Sequence, residues 1–188
     1  MALSYNQIGN ELRERKRKLT LAEQTCRAFV QKAIERLKEE LGYPDDAITF
    51  YKKTTDGVYV LAGDLDQIHL FSDGYFHVGL GIEYRSPAND GVHDKVLLKL
   101  KLGQVGDGID ASIEGTPIKG KMPTLRDGEA FIGFVHQLAT LLGEIYSKEF
   151  EAFLSGKRDE QHPAHETAKR LIQNHIDEQY APRLQKAA

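Results

Sequence analysis

Two histidines stand where a predicted hairpin would bring their side chains together. His69 and His77 flank the turn 72–74, on the side opposite the apolar residues of the same strands. Two neutral imidazoles within a few ångströms can share a divalent metal ion, and Asp64 or Asp73 would supply a carboxylate as the third ligand. The pattern therefore offers a metal site formed by His69, His77 and Asp64.

The same pair also fits the solvated side of a sheet, where histidines are half-exposed and bind nothing. No third ligand stands at a characteristic metal-site spacing, and Asp64 belongs to an Asp-Leu-Asp sequence of a kind that is common by chance. The surface interpretation is therefore favoured, the metal site is kept as the alternative, and the cofactor is unknown. On the surface interpretation, replacing both histidines should cost less than about 0.5 kcal/mol of stability.

The other candidates for chemistry are weaker. His165 and His175 lie ten residues apart on one predicted helix, roughly 15 Å, which is too far to share an ion. Cys26 falls in the apolar stripe of its helix, which favours a buried structural thiol over a nucleophile. The glycines at 103–108 precede a strand-like stretch and lack a phosphate-loop ending. No convergent catalytic set can be assembled, which favours a protein that is not an enzyme.

A basic run lies near the N-terminus. It consists of Arg13, Arg15, Lys16, Arg17 and Lys18. Such a run can contact phosphates or an acidic partner, but acidic residues at 11 and 14 dilute it and no aromatic stacking pattern accompanies it. A solvated helical surface is favoured, and a nucleic-acid partner is the weaker alternative.

The elements that must position these residues are segregated along the chain. Residues 1–42 show helical patterns, residues 46–122 short strands, and residues 125–180 helices again. This order predicts a single α+β domain over 1–188, in which an antiparallel meander of five to six strands packs against the helices from both ends. Parallel α/β folds alternate helices with strands and are not favoured.

The N-terminal region predicts either two helices, at 5–18 and 21–41, or one long helix. Capping-box patterns begin at Ser4 and Thr20. An apolar stripe at three- and four-residue steps follows the second, and Gly42 is placed to end the helix.

The strand region contains two predicted hairpins. Thr54–Gly57 is one turn, with glycine accepting positive φ. The second pairs Leu70 with Phe76 and Ile68 with Val78, which keeps the apolar side chains on one face. A broad apolar stripe then predicts a helix over 125–155 that covers this face.

Composition and charge limit the class of protein. The 188 residues are 40% hydrophobic and 28% charged, as expected for one globular domain. The net charge of −3 divides into +3 for 1–42, −4 for 43–124 and −2 for 125–188, and an acidic sheet argues against nucleic-acid binding by its face. No apolar stretch approaches the ~20 residues of a membrane span, and a single cysteine and the lack of a signal-peptide core predict a cytoplasmic location.

These features predict a non-enzymatic binding or adaptor protein that contacts a protein partner, or a second copy of itself, through its helices or its open sheet face. The helices carry more apolar positions than one sheet face easily buries. The alternative is a small-molecule or metal-binding protein, with or without enzymatic activity, whose site lies around His69 and His77. A third possibility is an apolar ligand held between the sheet and the long helix.

Overall fold

The computed structural model describes residues 5–42, 44–85, 93–122, 128–146, 151, 154–156, 163, 165 and 167–173. Within them, helix α1 spans Tyr5–Leu41 and helix α2 spans Gly128–Tyr146. The strands between them are β1 (Ile48–Lys53), β2 (Tyr59–Ala62), β3 (Phe76–Arg85), β4 (His93–Val105), β5 (Gly108–Ile113) and β6 (Lys119–Met122). The predicted α+β class, with six antiparallel strands, is confirmed.

Helix α1 is one continuous element and not two helices. The Thr20 hydroxyl donates a hydrogen bond to the Lys16 carbonyl oxygen at 3.1 Å, which is the bond of a residue inside a helix and not of a cap. Gly42 ends the helix as predicted, with φ of 66° and its amide donating to the Lys38 carbonyl oxygen at 2.8 Å.

The six strands form one sheet in the order β2-β1-β3-β4-β5-β6. From β3 to β6 each strand pairs with the next along the chain, whereas β1 lies beside β3 and places β2 at the edge. The β1–β2 turn has the predicted form: Gly57 has φ of 86°, and the amide of Thr54 donates to the Val58 carbonyl oxygen at 2.8 Å.

The predicted hairpin around the turn 72–74 forms only at its base. Leu70 pairs with Phe76 as expected, in an isolated bridge. The predicted pairing of Ile68 with Val78 is wrong, because β1 and β4 occupy both sides of Val78.

This pairing is absent because side chains of α1 form hydrogen bonds with the backbone groups that a strand would use. Arg27 donates hydrogen bonds at 2.8–3.3 Å to three carbonyl oxygens, those of Leu65, Asp66 and Ile68. The Leu70 amide donates to Glu23 at 2.9 Å. These charge-assisted bonds fasten the segment to the helix instead of to the sheet.

The core lies between one face of the sheet and the two helices. Phe29 of α1 meets Phe131 and Phe134 of α2, with each pair of ring centroids 5.7 Å apart. Beneath them, alternate residues of β3 and β4 are fully buried: Val78, Leu80, Ile82, Val96, Leu98 and Leu100. Only the second half of α1 takes part, since its buried residues begin at Cys26.

Helix α2 begins at Gly128 and its described part ends at Tyr146. Most of the predicted extension to 155, and both His162 and His175, lie outside the described residues. Residues 167–173 are helical, and Arg170 binds Asp94 at the start of β4. Within the described part of the chain, neither helix has the length and apolar character needed to cross a bilayer.

Candidate functional site

The side chains of Asp64 and His69 each have hydrogen-bonding or ion-pair partners of their own. Asp64 Oδ1 accepts a hydrogen bond from the Gln67 amide at 3.1 Å and caps a short 3₁₀ turn. The His69 side chain is 66% exposed, with Nδ1 3.5 Å from Glu23 Oε2 and 3.3 Å from an Arg27 nitrogen. Both residues therefore fasten the 64–69 segment.

His77 is buried and not half-exposed as predicted, with only 3% of its side chain accessible. Its Nε2 lies 2.9 Å from Asp73 Oδ2. Its Nδ1 lies 3.4 Å from Glu114 Oε1, close enough for an ion pair but without the geometry of a hydrogen bond. An imidazolium can donate to both carboxylates, whereas the neutral ring has one N–H to donate.

Each carboxylate beside His77 also has a lysine partner. Asp73 Oδ2 lies 3.3 Å from Lys101 Nζ, and Glu114 Oε1 lies 3.6 Å from Lys53 Nζ. Two cations and an imidazole thus surround two anions, so the cluster is an ion-pair network that joins β1, β3 and β4.

The network moves the pKa values of its carboxyl and phenol groups away from neutral pH. Burial raises the pKa of Asp73, but hydrogen bonds from His77, the Tyr75 amide and Lys101 outweigh it and lower this pKa to about 2. The adjacent imidazole of His77 also lowers the pKa of Glu114, against the opposing effect of burial.

Tyr59 completes the network, with its hydroxyl 3.3 Å from Glu114 Oε1. Burial first, and then the charge of Glu114, raise the pKa of this phenol well above its ordinary value. At neutral pH the phenol is therefore protonated and the two carboxylates are ionised. A general base works best with a pKa near the working pH, so neither carboxylate suits that role.

The structure brings His69 and His77 to one cavity but leaves Asp64 out of it. The two histidines line a space of about 230 Å³ together with Lys52 and Lys53, whereas Asp64 borders a separate pocket. Among the described residues, no group of three or more His, Cys, Asp or Glu side chains is placed to hold a metal ion. The predicted set of three ligands is thus not assembled, while a small polar cavity shared by both histidines is present.

The basic run lies on the first half of α1, where every residue from Tyr5 to Leu21 is exposed. A groove of about 720 Å³ runs between this part of the helix and the β4–β5 turn. Its lining combines basic and apolar helix residues with turn residues: Arg15, Lys18, Leu19, Leu21, Ala22, Gln104, Gly106 and Asp107.

The side of the sheet away from the helices, the open face, carries most of the lysines of the sheet. Strand register assigns seven basic residues to it: Lys53, Arg85, Lys95, Lys99, Lys101, Lys119 and Lys121. Four acidic residues share this face: Glu83 and Asp110 by strand register, and Glu114 and Asp73 by their contacts with His77. The expectation of an acidic sheet is therefore wrong for this face.

Aromatic rings accompany the lysines of the open face. Four Nζ atoms lie over ring centroids, namely Lys101 over Tyr75 at 3.9 Å, Lys95 over Tyr51 at 5.3 Å, Lys53 over Phe71 at 5.5 Å and Lys99 over Tyr59 at 5.6 Å. Cation–π contact of this kind holds a lysine in place while leaving its charge available.

Two glycines of β3 make room for these rings. A Cβ on Gly79 would lie 2.8 Å from Tyr51 Cβ and 3.0 Å from Tyr59 Cδ1. A Cβ on Gly81 would lie 2.7 Å from Tyr51 Cε2. The two tyrosines therefore lie across the central strand, so side chains from neighbouring strands converge there.

Sequence analysis named the open sheet face as a contact surface for a protein partner but missed its positive charge, although alternating lysines in 95–101 and 119–121 are the signal for it. Comparison of the chain with protein-family models, with curated proteins and with solved structures found no match. The site must therefore be interpreted from its own geometry.

Proposed function

We propose that this chain is a non-enzymatic binding protein that associates with another polypeptide helix through the first half of α1. The observation that carries the proposal is the exposure of the whole segment from Tyr5 to Leu21, although it keeps an apolar stripe. The exposed fractions are 91% for Tyr5, 46% for Ile8, 63% for Leu12, 58% for Leu19 and 55% for Leu21. Contiguous apolar surface of this kind marks interaction sites.

The exposed stripe continues the buried one at heptad spacing. Tyr5, Ile8, Leu12 and Leu19 occupy heptad positions that lead on to Cys26 and Phe29 in the core, with Arg15 and Ala22 at the two positions between them. Sustained spacing of this kind is the pattern of a coiled-coil seam. The first half of α1 thus exposes the seam residues to solvent, and the second half buries them in the core.

The first half of α1 lacks the packing that normally stabilises a helix. Most helical stability in proteins comes from burying an amphipathic face, and this segment has no buried residue. Gly9 lowers the helix propensity of this segment further. A partner helix laid along the seam would supply the missing contacts.

The partner that the charges favour is a second copy of this chain in antiparallel orientation. A parallel pair would place the two basic runs side by side, and like charges at that spacing repel. In the antiparallel register, Ile8 faces Leu19 of the second copy, Leu12 faces Arg15, and Glu11 lies near Lys18. Each favourable contact then occurs twice by symmetry.

The length of the free segment suits this register. Tyr5 of one copy reaches Ala22 of the other, and Ala22 is the first residue of α1 that is partly buried. The overlap of roughly 27 Å therefore stops where the body of the molecule begins. The 720 Å³ groove beside Leu21 and Ala22 is open to receive the incoming helix end.

Sedimentation equilibrium of the purified chain over a wide concentration range tests the proposal. The expected result is a reversible dimer that Leu12→Glu weakens at least tenfold. Leu61→Glu is the matched control, because Leu61 is 65% exposed on the edge strand β2 and should leave association unchanged.

A charge exchange tests the orientation. Glu11→Lys should weaken the dimer, and Glu11→Lys combined with Lys18→Glu should restore it. A monomer at 100 μM, as an order of magnitude for a specific pair, would contradict the proposal. Equal association of wild type and Leu12→Glu would contradict it as well.

A second candidate is a small-molecule or metal site, which the shared cavity of His69 and His77 favours. Only neutral imidazole binds zinc, so affinity should fall in acid. Calorimetric titration with zinc tests it, comparing wild type with the double variant His69→Ala/His77→Ala. His136→Ala is the control, since His136 is 62% exposed on α2. Equal heats for all three proteins would remove this candidate.

A further inference from the structure

The open face is positive, although the segment of the chain that forms the sheet is negative. Residues 43–124 carry twelve acidic and eight basic side chains. The strand register sorts seven of the eight basic residues onto the open face, and four of the twelve acidic ones lie there with them. A protein with a net charge of −3 thus gathers a surplus of three positive charges on one side of its sheet.

The spacing of these charges suits an extended polyanion. Lys99 and Lys101 are alternate residues of β4, so their side chains rise about 6.7 Å apart along one strand. Lys95 continues the row in one direction. Lys119 and Lys121 form a second exposed row on β6.

The ion pairs within the face leave most of this charge available. Three of the seven basic residues have carboxylates within 4 Å: Lys53 beside Glu114, Lys101 beside Asp73, and Arg85 beside Glu83 and Asp46. The remaining basic residues keep the surface positive. Phosphate groups gain affinity from such a surface chiefly by releasing their counterions.

Aromatic rings add a second kind of contact. Tyr75 is 38% exposed and lies over Gly103, with its ring 3.0 Å from the position of an added Cβ. Tyr51 and Tyr59 lie half-buried on the neighbouring strands. Rings beside lysines bind unpaired bases by stacking, which an acidic peptide or a duplex with stacked bases cannot exploit equally.

We propose that the open face binds single-stranded nucleic acid, with its lysine rows on the phosphates and Tyr75 stacked on a base. This function is separate from helix pairing, because α1 packs on the opposite side of the sheet. Sequence specificity is not part of the proposal, since stacking and phosphate contacts tolerate any base.

The test is fluorescence anisotropy with a labelled oligothymidylate of about 15 nucleotides, within the site sizes of such surfaces. The triple variant Lys95→Gln/Lys99→Gln/Lys121→Gln should bind at least tenfold more weakly. Its salt dependence should also become shallower by about two units of slope, since each phosphate contact on a single strand contributes about 0.7.

A matched control removes the same charge from the other side of the molecule. Arg13→Gln/Lys16→Gln/Arg17→Gln should change the affinity by less than threefold. Tyr75→Leu should weaken binding about tenfold through loss of stacking. Should the open-face triple variant unfold, Lys119→Gln/Lys121→Gln on the exposed edge strand replaces it, and it should still weaken binding more than the control.

Three results would overturn the proposal. One is the absence of wild-type binding at low salt. Another is an equal loss of affinity in the control variant, which would assign the binding to α1 or to general charge. The third is competition by a DNA duplex or by polyglutamate as effective as that by unlabelled oligothymidylate, which would indicate a different class of polyanion or none in particular.

Discussion

At the scale of single residues, the most constrained group in the described structure is the Asp73–His77–Glu114 cluster. His77 is buried between two carboxylates, each of which has a lysine within 4 Å. The pKa values of both carboxyl groups are lower in the folded chain than their ordinary values. Groups of this kind stabilise the fold in their ionised form and lose that contribution when protonated.

The first prediction concerns stability in acid. Because the pKa of Asp73 falls from 3.8 to about 2 on folding, its contribution is complete above pH 4 and disappears as the pH falls towards 2. Asp73→Asn should therefore lower the free energy of unfolding at pH 7 but make it less sensitive to acid. The loss should be on the order of 1 kcal/mol, since solvent screens a carboxylate that is 39% exposed.

Urea unfolding followed by circular dichroism between pH 2 and 7 measures this difference. Asp66→Asn is the control, because the Asp66 side chain is 89% exposed beside Arg27. Parallel pH profiles for Asp73→Asn and wild type would contradict the prediction.

Sequence could indicate that His77 lies opposite the apolar face, but not that it is buried. The His77 ring is enclosed by residues distant in sequence or on turns, namely Glu114 just after β5 and Phe71, whose ring centroid lies 5.5 Å from that of His77. The predicted pairing of Ile68 with Val78, beside His69, is wrong for a similar reason. Arg27 and Glu23 of α1 bind the segment that was expected to be a strand, and a period-two pattern carries no information about such distant hydrogen bonds.

At the scale of elements, the glycines of β3 and α1 have opposite roles. Gly79 is in close contact with Tyr51 and Tyr59, whereas an added Cβ on Gly9 would meet nothing within 4 Å. One glycine is therefore required by packing, and the other only weakens its helix.

The second prediction uses the same substitution at both glycines. Gly79→Ala should destabilise the fold by about 1–3 kcal/mol, because the new methyl group overpacks against Tyr51. Gly9→Ala should raise the helicity of the first half of α1, since alanine is favoured over glycine in a helix by up to about 1 kcal/mol. Circular dichroism and urea unfolding of the two variants measure both effects. A stable Gly79→Ala variant would mean that the tyrosines can move aside.

The elements themselves were largely predictable. Helical stripes, the turn at Gly57 and the cap at Gly42 follow from local rules of backbone conformation, and all three are present. The continuity of α1 at Thr20 was not decided by the sequence, because a threonine hydroxyl serves a cap or a helix interior equally well.

At the scale of the whole molecule, charge is distributed by face and not by segment. The count for 43–124 is negative because most of its acidic residues lie away from the open face, in turns or at strand ends. Alternation in a strand separates neighbouring residues onto opposite faces, so a sum along the chain mixes the two surfaces. The register needed to separate them depends on pairing between strands, which the sequence only partly specified.

The third prediction concerns the uneven stability of α1. Its first half has no buried residue, whereas Cys26, Phe29, Val30, Ala33, Ile34 and Leu37 in the second half are buried. In dilute solution the amides of 5–21 should exchange with solvent much faster than those of 26–37. At concentrations where copies associate, exchange in 5–21 should slow and that in 26–37 should not.

Hydrogen exchange followed by mass spectrometry at two protein concentrations separates these cases. Equal protection along the whole helix in dilute solution would show that its first half is held by something other than a second copy.

The burial of Cys26 makes its chemical modification a measure of how fast α1 separates from the sheet. Cys26 is the only thiol in the sequence and is fully buried on the side of α1 that faces the core. Burial, and secondarily the charge of Glu23, raises its pKa to about 12, so in the closed fold it is both inaccessible and unreactive. A thiol reagent can modify it only while α1 is lifted from the sheet. The rate of that modification therefore reports the rate at which these two elements separate in the unmutated protein. No label has to be introduced.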